Sequence, residues 1–176
     1  MKSLYFNREL SLLEFHKRVL AMAQDPDVPL LERLRFLCIS CTNLDEFFEI
    51  RVAGLKQRME IGAPAQGPEK IPASTVFERL EREVRELVRQ QYEVLNQSMF
   101  PELTAAGVRF VQSEDWTEEQ EAWLTDYFNE QVVPVHTPLT FDPSRPFTQI
   151  LNKSLNLIVR LHGRDAIGRR RHRGMV

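Results

Sequence analysis

Apolar residues recur at steps of three and four through most of the N-terminal half, and this periodicity constrains the fold more than any other feature. Such a repeat places apolar side chains on one face of an α-helix. It runs through four segments, with apolar positions at Leu12, Phe15, Val19 and Met22; at Leu30, Leu34, Leu37 and Cys41; at Leu44, Phe47, Phe48, Val52, Leu55 and Met59; and at Phe77, Leu80, Val84, Leu87, Leu95 and Met99. We therefore predict an antiparallel bundle of four helices.

Capping and loop-forming residues predict where these helices begin and end. Ser11 and Thr75 each precede a glutamate by three residues, which is the spacing of a capping box, so we expect helices to begin there. Pro29 suits the first turn of the second helix, and the third is expected to begin at Asn43. Residues 62–72 contain three prolines and two glycines, and we predict a loop there.

Shorter patterns replace the long helical repeats after Gly107. Residues 108–111 and 154–161 alternate in the manner of strands. Between them, Thr117 has capping-box spacing to a glutamine and begins a helix expected to run to about Val132. The second half therefore mixes helix and strand.

These patterns predict a mainly α chain of two domains. Residues 1–106 form the antiparallel helical bundle, and residues 107–176 begin an α/β domain. The fractions of hydrophobic residues, 43%, and charged residues, 27%, are those of a globular protein. No element closes the predicted sheet before the last residue, so we expect the second domain to be truncated.

The sequence predicts a cytoplasmic protein. No run of about 18 apolar residues is present to span a membrane, and charge follows the first methionine too closely for a secretory signal. Cys38 and Cys41 form a C-x-x-C pair, but no second pair completes a zinc site. Their apolar neighbours favour buried, reduced thiols.

The charge of the chain is unevenly distributed. Residues 160–176 hold six arginines and one aspartate, a net charge of +5, so the remaining 159 residues carry −7 of the total of −2. Arginine suits phosphate oxygens, so a polyanion contact is one interpretation of this segment; an exposed loop between strands is the simpler one. The overall balance argues against a chain-wide nucleic-acid surface, and we predict no nucleic-acid partner.

The segment around Asn43 is the most distinctive in the chain. At the predicted start of a helix, free backbone N–H groups and the positive end of the helix dipole lie together. An asparagine amide there can cap the helix or present a donor and an acceptor to a purine edge, and residue chemistry alone favours the cap. Asp45 and Glu46 are expected to complement the dipole.

No combination of residues indicates catalysis within the chain. The four histidines have no carboxylate or partner at the spacing of a metal site or a catalytic triad; they are His16, His136, His162 and His172. A glycine-rich phosphate-binding loop is also absent from the sequence. We therefore predict no catalytic residue and no metal ligand in these residues.

Several motifs resemble the N-terminal part of polyphosphate kinases of the histidine-phosphorylated type. They are residues 5–15 (YFNRELSLLEF), 29–37 (PLLERLRFL), 43–48 (NLDEFF) and 50–55 (IRVAGL), in the order found in that family. Further motifs at residues 137–139, 142–143, 146–147 and 152–159 resemble the start of the family's second, head domain. The resemblance extends over essentially the whole chain.

The resemblance implies an enzyme that reversibly transfers the terminal phosphate of ATP to inorganic polyphosphate, with Mg²⁺ as its cofactor. The phosphorylated histidine and the magnesium ligands would lie in C-terminal domains outside these residues, so the chain alone is expected to be inactive. The helical bundle would cover the adenine side of the ATP site, with Asn43 as a nucleotide contact.

The resemblance also implies that the head domain contributes to a homo-oligomer. The full-length enzyme would have no transmembrane segment and would meet the membrane only as part of a complex. The alternative, from the residues alone, is a non-catalytic helical interaction module.

Overall fold

The computed structural model describes residues 5–65, 67, 69–137, 139, 150–151, 153–164 and 170–175. Contacts divide the chain into two compact units, Met1–Val111 and Gln112–Val176. The motifs predicted at residues 142–143 and 146–147 lie outside the described residues. Within the described part of the chain, no helix is both long enough and apolar enough to cross a membrane.

The first unit is helical, as the periodicity predicts. Its helices are α1 (Arg8–Gln24), α2 (Leu30–Glu46), α3 (Ala53–Glu60), α4 (Ala73–Glu93) and a short α5 (Phe100–Ala105). Two π-helical segments, Phe47–Val52 and Val94–Met99, connect α2 to α3 and α4 to α5. The chain is mainly helical, and the four main helices match the predicted number.

The predicted break at Asn43 is not present. The N–H of Phe47 donates to the carbonyl of Asn43, as within a helix. Helical dihedral angles continue through Phe47–Val52 into α3. No proline lies in this part of the sequence, and its one glycine, Gly54, lies within α3. Consequently α2 and α3 form one continuous helical stretch, and the prediction that they are antiparallel neighbours is wrong.

The capping boxes predicted at Ser11 and Thr75 are also wrong, because both residues lie inside helices. Asn7 caps α1, since its Oδ1 accepts the N–H groups of Glu9 at 3.1 Å and Leu10 at 3.2 Å. At the start of α4, Pro72 occupies the cap position and supplies no side-chain hydrogen bond.

Glycines with positive φ end both α3 and α5. Gly62 has a φ of 61° and Gly107 a φ of 89°. Glycine adopts such positive φ values with little strain, whereas a residue with a side chain is strained there. Past the end of α5, the N–H of Gly107 donates to the carbonyl of Thr104 at 3.1 Å and that of Val108 to Leu103 at 2.8 Å. These two bonds are a Schellman motif. At the end of α3, Gly62 begins the loop predicted over residues 62–72, as expected.

The buried face of α1 is rotated by one residue from the predicted face, whereas in α2 the predicted Leu37 is buried and Leu30 and Leu34 pack against the core. The predicted positions Phe15 and Met22 are 45% and 39% exposed. The buried residues of α1 are Leu13, His16, Leu20 and Ala23, and those of α2 are Arg33, Leu37, Ser40 and Leu44. The core prediction for α4 is confirmed at Leu80, Val84 and Leu87.

A buried arginine joins α1 and α2 to the stretch formed by α4 and α5. Arg33 is 7% exposed, although its charge predicts an outward position. Its Nε donates to the carbonyl of Ala23 at 3.0 Å, its Nη1 to Glu102 at 2.6 Å and its Nη2 to Ser98 at 2.7 Å. The hydroxyl of Ser98 also donates to Glu102 at 2.6 Å. Every part of the guanidinium thus has a partner.

Helical segments begin the second unit. A 3₁₀ turn (Ser113–Asp115) precedes α6 (Glu118–Tyr127), a π-helical segment (Phe128–Val132) and a second 3₁₀ turn (Val133–Val135). The capping box predicted at Thr117 is confirmed. The N–H of Gln120 donates to the Thr117 Oγ1 at 3.2 Å, and the N–H of Thr117 donates to the Gln120 Oε1 at 2.9 Å. The predicted helical extent to about Val132 is confirmed as well.

The strands differ from those predicted. β1 (Arg160–Arg164) and β2 (Arg170–Met175) pair in antiparallel orientation. The strand predicted at residues 154–161 is wrong except at its last two positions, and part of the arginine-rich segment predicted as a loop is β2. Residues 108–111 form no strand; instead, Phe110 packs against Phe100 with ring centroids 5.0 Å apart.

Candidate functional site

Asn43 lies inside a helix rather than at the start of one. It is three residues before the end of α2, and the helical path continues beyond it. Backbone N–H groups in a helix interior are bonded to carbonyls one turn earlier. The predicted cluster of free N–H groups and the positive dipole end at Asn43 are therefore wrong, and so is the interpretation of Asn43 as a cap.

The Asn43 side chain is partly buried and makes no hydrogen bond within the part of the chain that the structure describes. Its amide oxygen can accept and its amide nitrogen can donate. Asparagine is a poorer helix former than alanine, so it costs stability at an interior position. The amide of Asn43 is therefore available to a ligand.

The surface beside Asn43 combines apolar and acidic groups. Ile39 lies one turn before it and is 38% exposed, and Glu46 lies one turn after it and is exposed. Residues four or three apart are neighbours on a helix surface. Sequence analysis did not consider Ile39, although its spacing of four residues from Asn43 places the two side by side on a helix.

The helix under Asn43 is anchored to two other helices. Ser40 is fully buried, and its hydroxyl accepts a hydrogen bond from the Gln91 side chain of α4 at 2.9 Å. Phe47, 2% exposed, packs edge-on against the ring of His16 on α1, with centroids 5.5 Å apart. These contacts fix the position and rotation of α2, so Asn43 is presented by a rigid support.

His16 is buried at the contact between α1 and Phe47. It is 4% exposed, and its Nδ1 has no hydrogen-bond partner within the described residues. Burial lowers the pKa of His16 below its ordinary value, and the nearby Glu46 carboxylate opposes this only in part. His16 is thus a neutral core residue at pH 7.

The acidic pair at Asp45 and Glu46 does not complement a helix dipole. Both residues lie near the middle of the continuous α2–α3 stretch, and that prediction is wrong. Glu46 instead acts electrostatically on His16.

The cysteine prediction is also wrong. Cys38 and Cys41 are free thiols, as expected, but both are exposed on α2. Partial desolvation raises the pKa of Cys41, and Cys38 and Asp45 add to the effect. A raised pKa keeps the thiol protonated and poorly nucleophilic.

The outer face of α4 is self-paired, as its alternating charges predict. Arg85 pairs with Glu81 at 2.5 Å, and Arg89 with Glu86 at 2.6 Å and with Glu93. Hydrogen bonds from Arg89 and Gln90 lower the pKa of Glu86 to about 2. These residues are solvated helix surface rather than a site.

Two surface cavities in the described residues lie away from Asn43. One, of about 610 Å³, is lined by charged side chains of α4 such as Arg82 and Glu86. The other, of about 270 Å³, lies at the start of α1 beside Asn7, Arg58 and Glu69. A nucleotide at Asn43 would therefore rest on an open helix surface. Among the described residues, no three His, Cys, Asp or Glu side chains are grouped to hold a metal ion.

The geometry describes a helical unit in which buried contacts of Ser40 and Phe47 hold the part of α2 that carries Asn43. Two family descriptions match the chain in succession: the polyphosphate kinase N-terminal domain over residues 5–111, and the polyphosphate kinase middle domain over residues 119–176. The chain belongs to the polyphosphate kinase family.

Individual relatives agree with this assignment. The chain is 46% identical over 170 residues to the polyphosphate kinase of Paraburkholderia phytofirmans and 49% identical over 173 residues to that of Xylella fastidiosa, which covers 97% and 98% of this chain. It covers 25% of each relative, so it spans about a quarter of their length.

A solved structure resembles the fold as well. The crystal structure of polyphosphate kinase from Porphyromonas gingivalis matches with a TM-score of 0.70 at 26% identity, covering 85% of this chain and 21% of that one.

Proposed function

We propose that these 176 residues are the N-terminal part of an ATP:polyphosphate phosphotransferase, which reversibly transfers the terminal phosphate of ATP to inorganic polyphosphate in the cytoplasm. The observation that carries the proposal is the successive match to the N-terminal and middle domains of polyphosphate kinase. The greater length of the relatives also supports the proposal, because the chain spans about a quarter of the length of each.

The first unit covers the adenine side of the ATP site, and Asn43 contacts the base. The free amide of Asn43 supplies one donor and one acceptor, which complement the edge of a purine. The exposed Ile39 beside it supplies apolar surface for the ring, and a few polar groups among apolar ones are typical of ligand sites. The buried contacts of Ser40 and Phe47 keep this surface in place.

The chemical step takes place in domains beyond these residues. Phosphoryl transfer depends on aligning the phosphate with its acceptor and on neutralising its charge. The histidine acceptor and the ligands of Mg²⁺, which would neutralise that charge, come from those domains. The role of this chain is to bind and position the nucleotide.

The second unit, Gln112–Val176, is the start of an α/β head domain that contributes to a dimer. The boundary predicted from the sequence, between residues 106 and 107, lies five residues before the boundary of the compact units. Trp123 and Tyr127 stack on the surface of α6 with centroids 5.3 Å apart, and they are 62% and 49% exposed. Exposed aromatic side chains are enriched at protein interfaces.

Replacing Asn43 by alanine in the complete enzyme tests the nucleotide contact. We expect the KM for ATP to rise about three- to tenfold with little change in kcat, because one or two neutral hydrogen bonds shared by ground and transition states are lost. Alanine favours helix, so the thermal unfolding temperature should not fall.

The matched control is Asn96→Ala, which removes an exposed helical asparagine elsewhere in the first unit. Its KM for ATP should equal that of the unmodified enzyme. An unchanged KM in Asn43→Ala would contradict the proposed adenine contact.

A further inference from the structure

Two cysteine side chains lie exposed, about one turn apart, on the surface of α2. Cys38 and Cys41 are free thiols, and they are the two cysteines of the sequence. Residues three apart are neighbours on a helix surface. Cys38 also acts electrostatically on the Cys41 thiol, which requires the two side chains to lie close together. The phosphotransferase function proposed above leaves this pair without a role.

Buried contacts hold the helix under this pair in place. Leu37 and Ser40, each next to one of the cysteines, are buried. The hydroxyl of Ser40 accepts a hydrogen bond from the Gln91 side chain of α4 at 2.9 Å. The two thiols are therefore kept at helical spacing, and a ligand that bridges them has little conformational freedom to remove.

Helical spacing suits a bridging ion better than a disulfide. The Cβ atoms of residues three apart on a helix are separated by about 5–6 Å, whereas a disulfide requires about 3.5–4.5 Å. An internal disulfide would therefore require α2 to distort locally. Metal–thiolate bonds are about 2.3 Å long, so an ion held in line between two sulfur atoms separates them by about 4.6 Å. Two thiols on one helical turn match that separation.

The number of ligands selects the kind of ion. Thiolates are soft ligands that favour Cu(I), zinc and iron–sulfur clusters. Structural zinc and iron–sulfur sites take four protein ligands, and the described residues contain no group of three His, Cys, Asp or Glu side chains. The sequence predicts no metal ligand because a zinc set is incomplete. Cu(I), in contrast, is satisfied by two sulfur ligands.

We propose that Cys38 and Cys41 form a binding site for one Cu(I) ion, which both sulfur atoms coordinate. On binding, two S–H bonds break, two Cu–S bonds form and two protons pass to solvent, while the ion and the sulfur atoms keep their oxidation states. The charge of the ion displaces the proton of a coordinating thiol, so the raised pKa of Cys41 does not prevent binding. The site does not involve Asn43, which a rotation of about 100° per residue places on the opposite side of α2.

Anaerobic titration of the 176-residue protein with Cu(I), in competition with the chromophoric chelator bicinchoninate, tests the proposal. We expect one Cu(I) per chain, together with the ultraviolet charge-transfer absorption of copper–thiolate bonds. Cys38→Ser and Cys41→Ser each leave a single thiol and should bind Cu(I) at least about a hundredfold more weakly, because the second ligand is no longer held nearby at high effective concentration. Circular dichroism checks that each variant is folded.

Two variants that keep both thiols in the chain test the geometry of the pair. Cys41→Ser/Thr42→Cys places the thiols four residues apart on one face of α2 and should recover most of the affinity. Cys38→Ser/Ile39→Cys places them two residues apart, where they do not face each other, and should bind as weakly as the single variants. Equal affinity of the two double variants would overturn the proposal, because binding would not depend on the pairing of thiols on the helix.

Three further outcomes would assign the pair to another use and overturn the Cu(I) site. Zn(II) binding as tight as Cu(I) binding, and lost in Cys38→Ser, would indicate a zinc site. One Cu(I) per two chains, with a dimer in native mass spectrometry, would indicate a site shared between copies. Formation of an internal disulfide in the folded protein on exposure to glutathione disulfide would indicate a redox pair.

Discussion

A buried arginine links the helices of the first unit through three hydrogen bonds. Arg33 donates to Ala23, Ser98 and Glu102, so Arg33→Met leaves a buried carbonyl and a hydroxyl without their donor. We expect a loss of about 1–3 kcal/mol in the free energy of unfolding, measured by urea denaturation. The Glu102 side chain is 42% exposed and can be hydrated, which keeps the loss below that of a fully buried ion pair.

Arg35→Met is the control for this prediction. Arg35 lies on the same helix with its side chain 73% exposed, 3.9 Å from Glu32. Its replacement should change the free energy of unfolding by no more than about 0.5 kcal/mol. Equal losses in the two variants would show that the Arg33 network contributes no more than a surface charge.

The buried imidazole of His16 predicts a pH dependence of stability. Its pKa is lowered from 6.5 in the folded state, so the unfolded chain binds a proton at a higher pH than the folded chain does. Stability should therefore fall as the pH drops below about 6.5 and level off below the lowered pKa. His16→Phe keeps an aromatic ring against Phe47 and removes the titration.

Urea denaturation of both proteins between pH 5 and 8, a range of about three units, measures this effect. The difference in unfolding free energy between the two should be constant above pH 7 and should shift against the unmodified protein below about 6.5. Parallel curves over the whole range would mean that His16 does not titrate differently on folding.

At the scale of residues, the sequence predicted which residues are distinctive better than it predicted where they lie in the helices. Asn43 stands out in the sequence, but its expected place at a helix start was wrong, because polar residues such as Thr42 and Asn43 can also be carried inside a helix that nothing breaks. The nucleotide contact at Asn43 follows only from the family resemblance and remains a prediction. The buried polar partners Ser40 and Gln91 were not predicted, since their burial depends on which helices meet.

At the scale of elements, the helical content and the buried face of α4 could be predicted, but the continuity of α2 with α3 and the buried face of α1 could not. α1 carries two adjacent stripes that are both largely apolar, offset by one residue, or about 100° around the axis. The stripe with Phe15 is the more hydrophobic, yet the bundle buries the one with Leu13 and His16. The contacts of α1 with α2 and α4 decide which stripe is buried. These contacts cannot be inferred from the periodicity of α1 alone.

Paired truncations on α1 test this rotation. Leu13 is 0% exposed, so Leu13→Ala should cost about 2–5 kcal/mol through lost burial and a cavity. Phe15→Ala removes the larger side chain from an exposed position and should cost less than about 1 kcal/mol. Urea denaturation of both variants gives the comparison. A larger loss from Phe15→Ala would support the face predicted from periodicity.

The π-helical segments and the strands show a second limit of prediction at this scale. Pro101 lies two residues after the segment Val94–Met99, and a locally widened helix relieves the missing N–H and the ring clash of a proline. The segment Phe47–Val52 has no such sequence signal. Residues 108–111 have the alternation of a strand but pair with none, because alternation does not supply a neighbouring strand.

At the scale of the whole molecule, bulk properties and ordered motifs predicted a mainly helical member of the polyphosphate kinase family, and the family matches confirm this. The chain spans about a quarter of the length of these curated relatives. Under the proposed function, the surface around Asn43 binds and positions the nucleotide, and phosphate transfer takes place in domains beyond these residues.

The most direct test of this account is an assay of phosphate transfer from γ-labelled ATP to polyphosphate, run side by side on the complete protein and on the 176-residue chain. We predict labelled polyphosphate from the complete protein and none from the chain alone. Polyphosphate synthesis by the chain alone, or its absence from the complete protein, would contradict the proposed function.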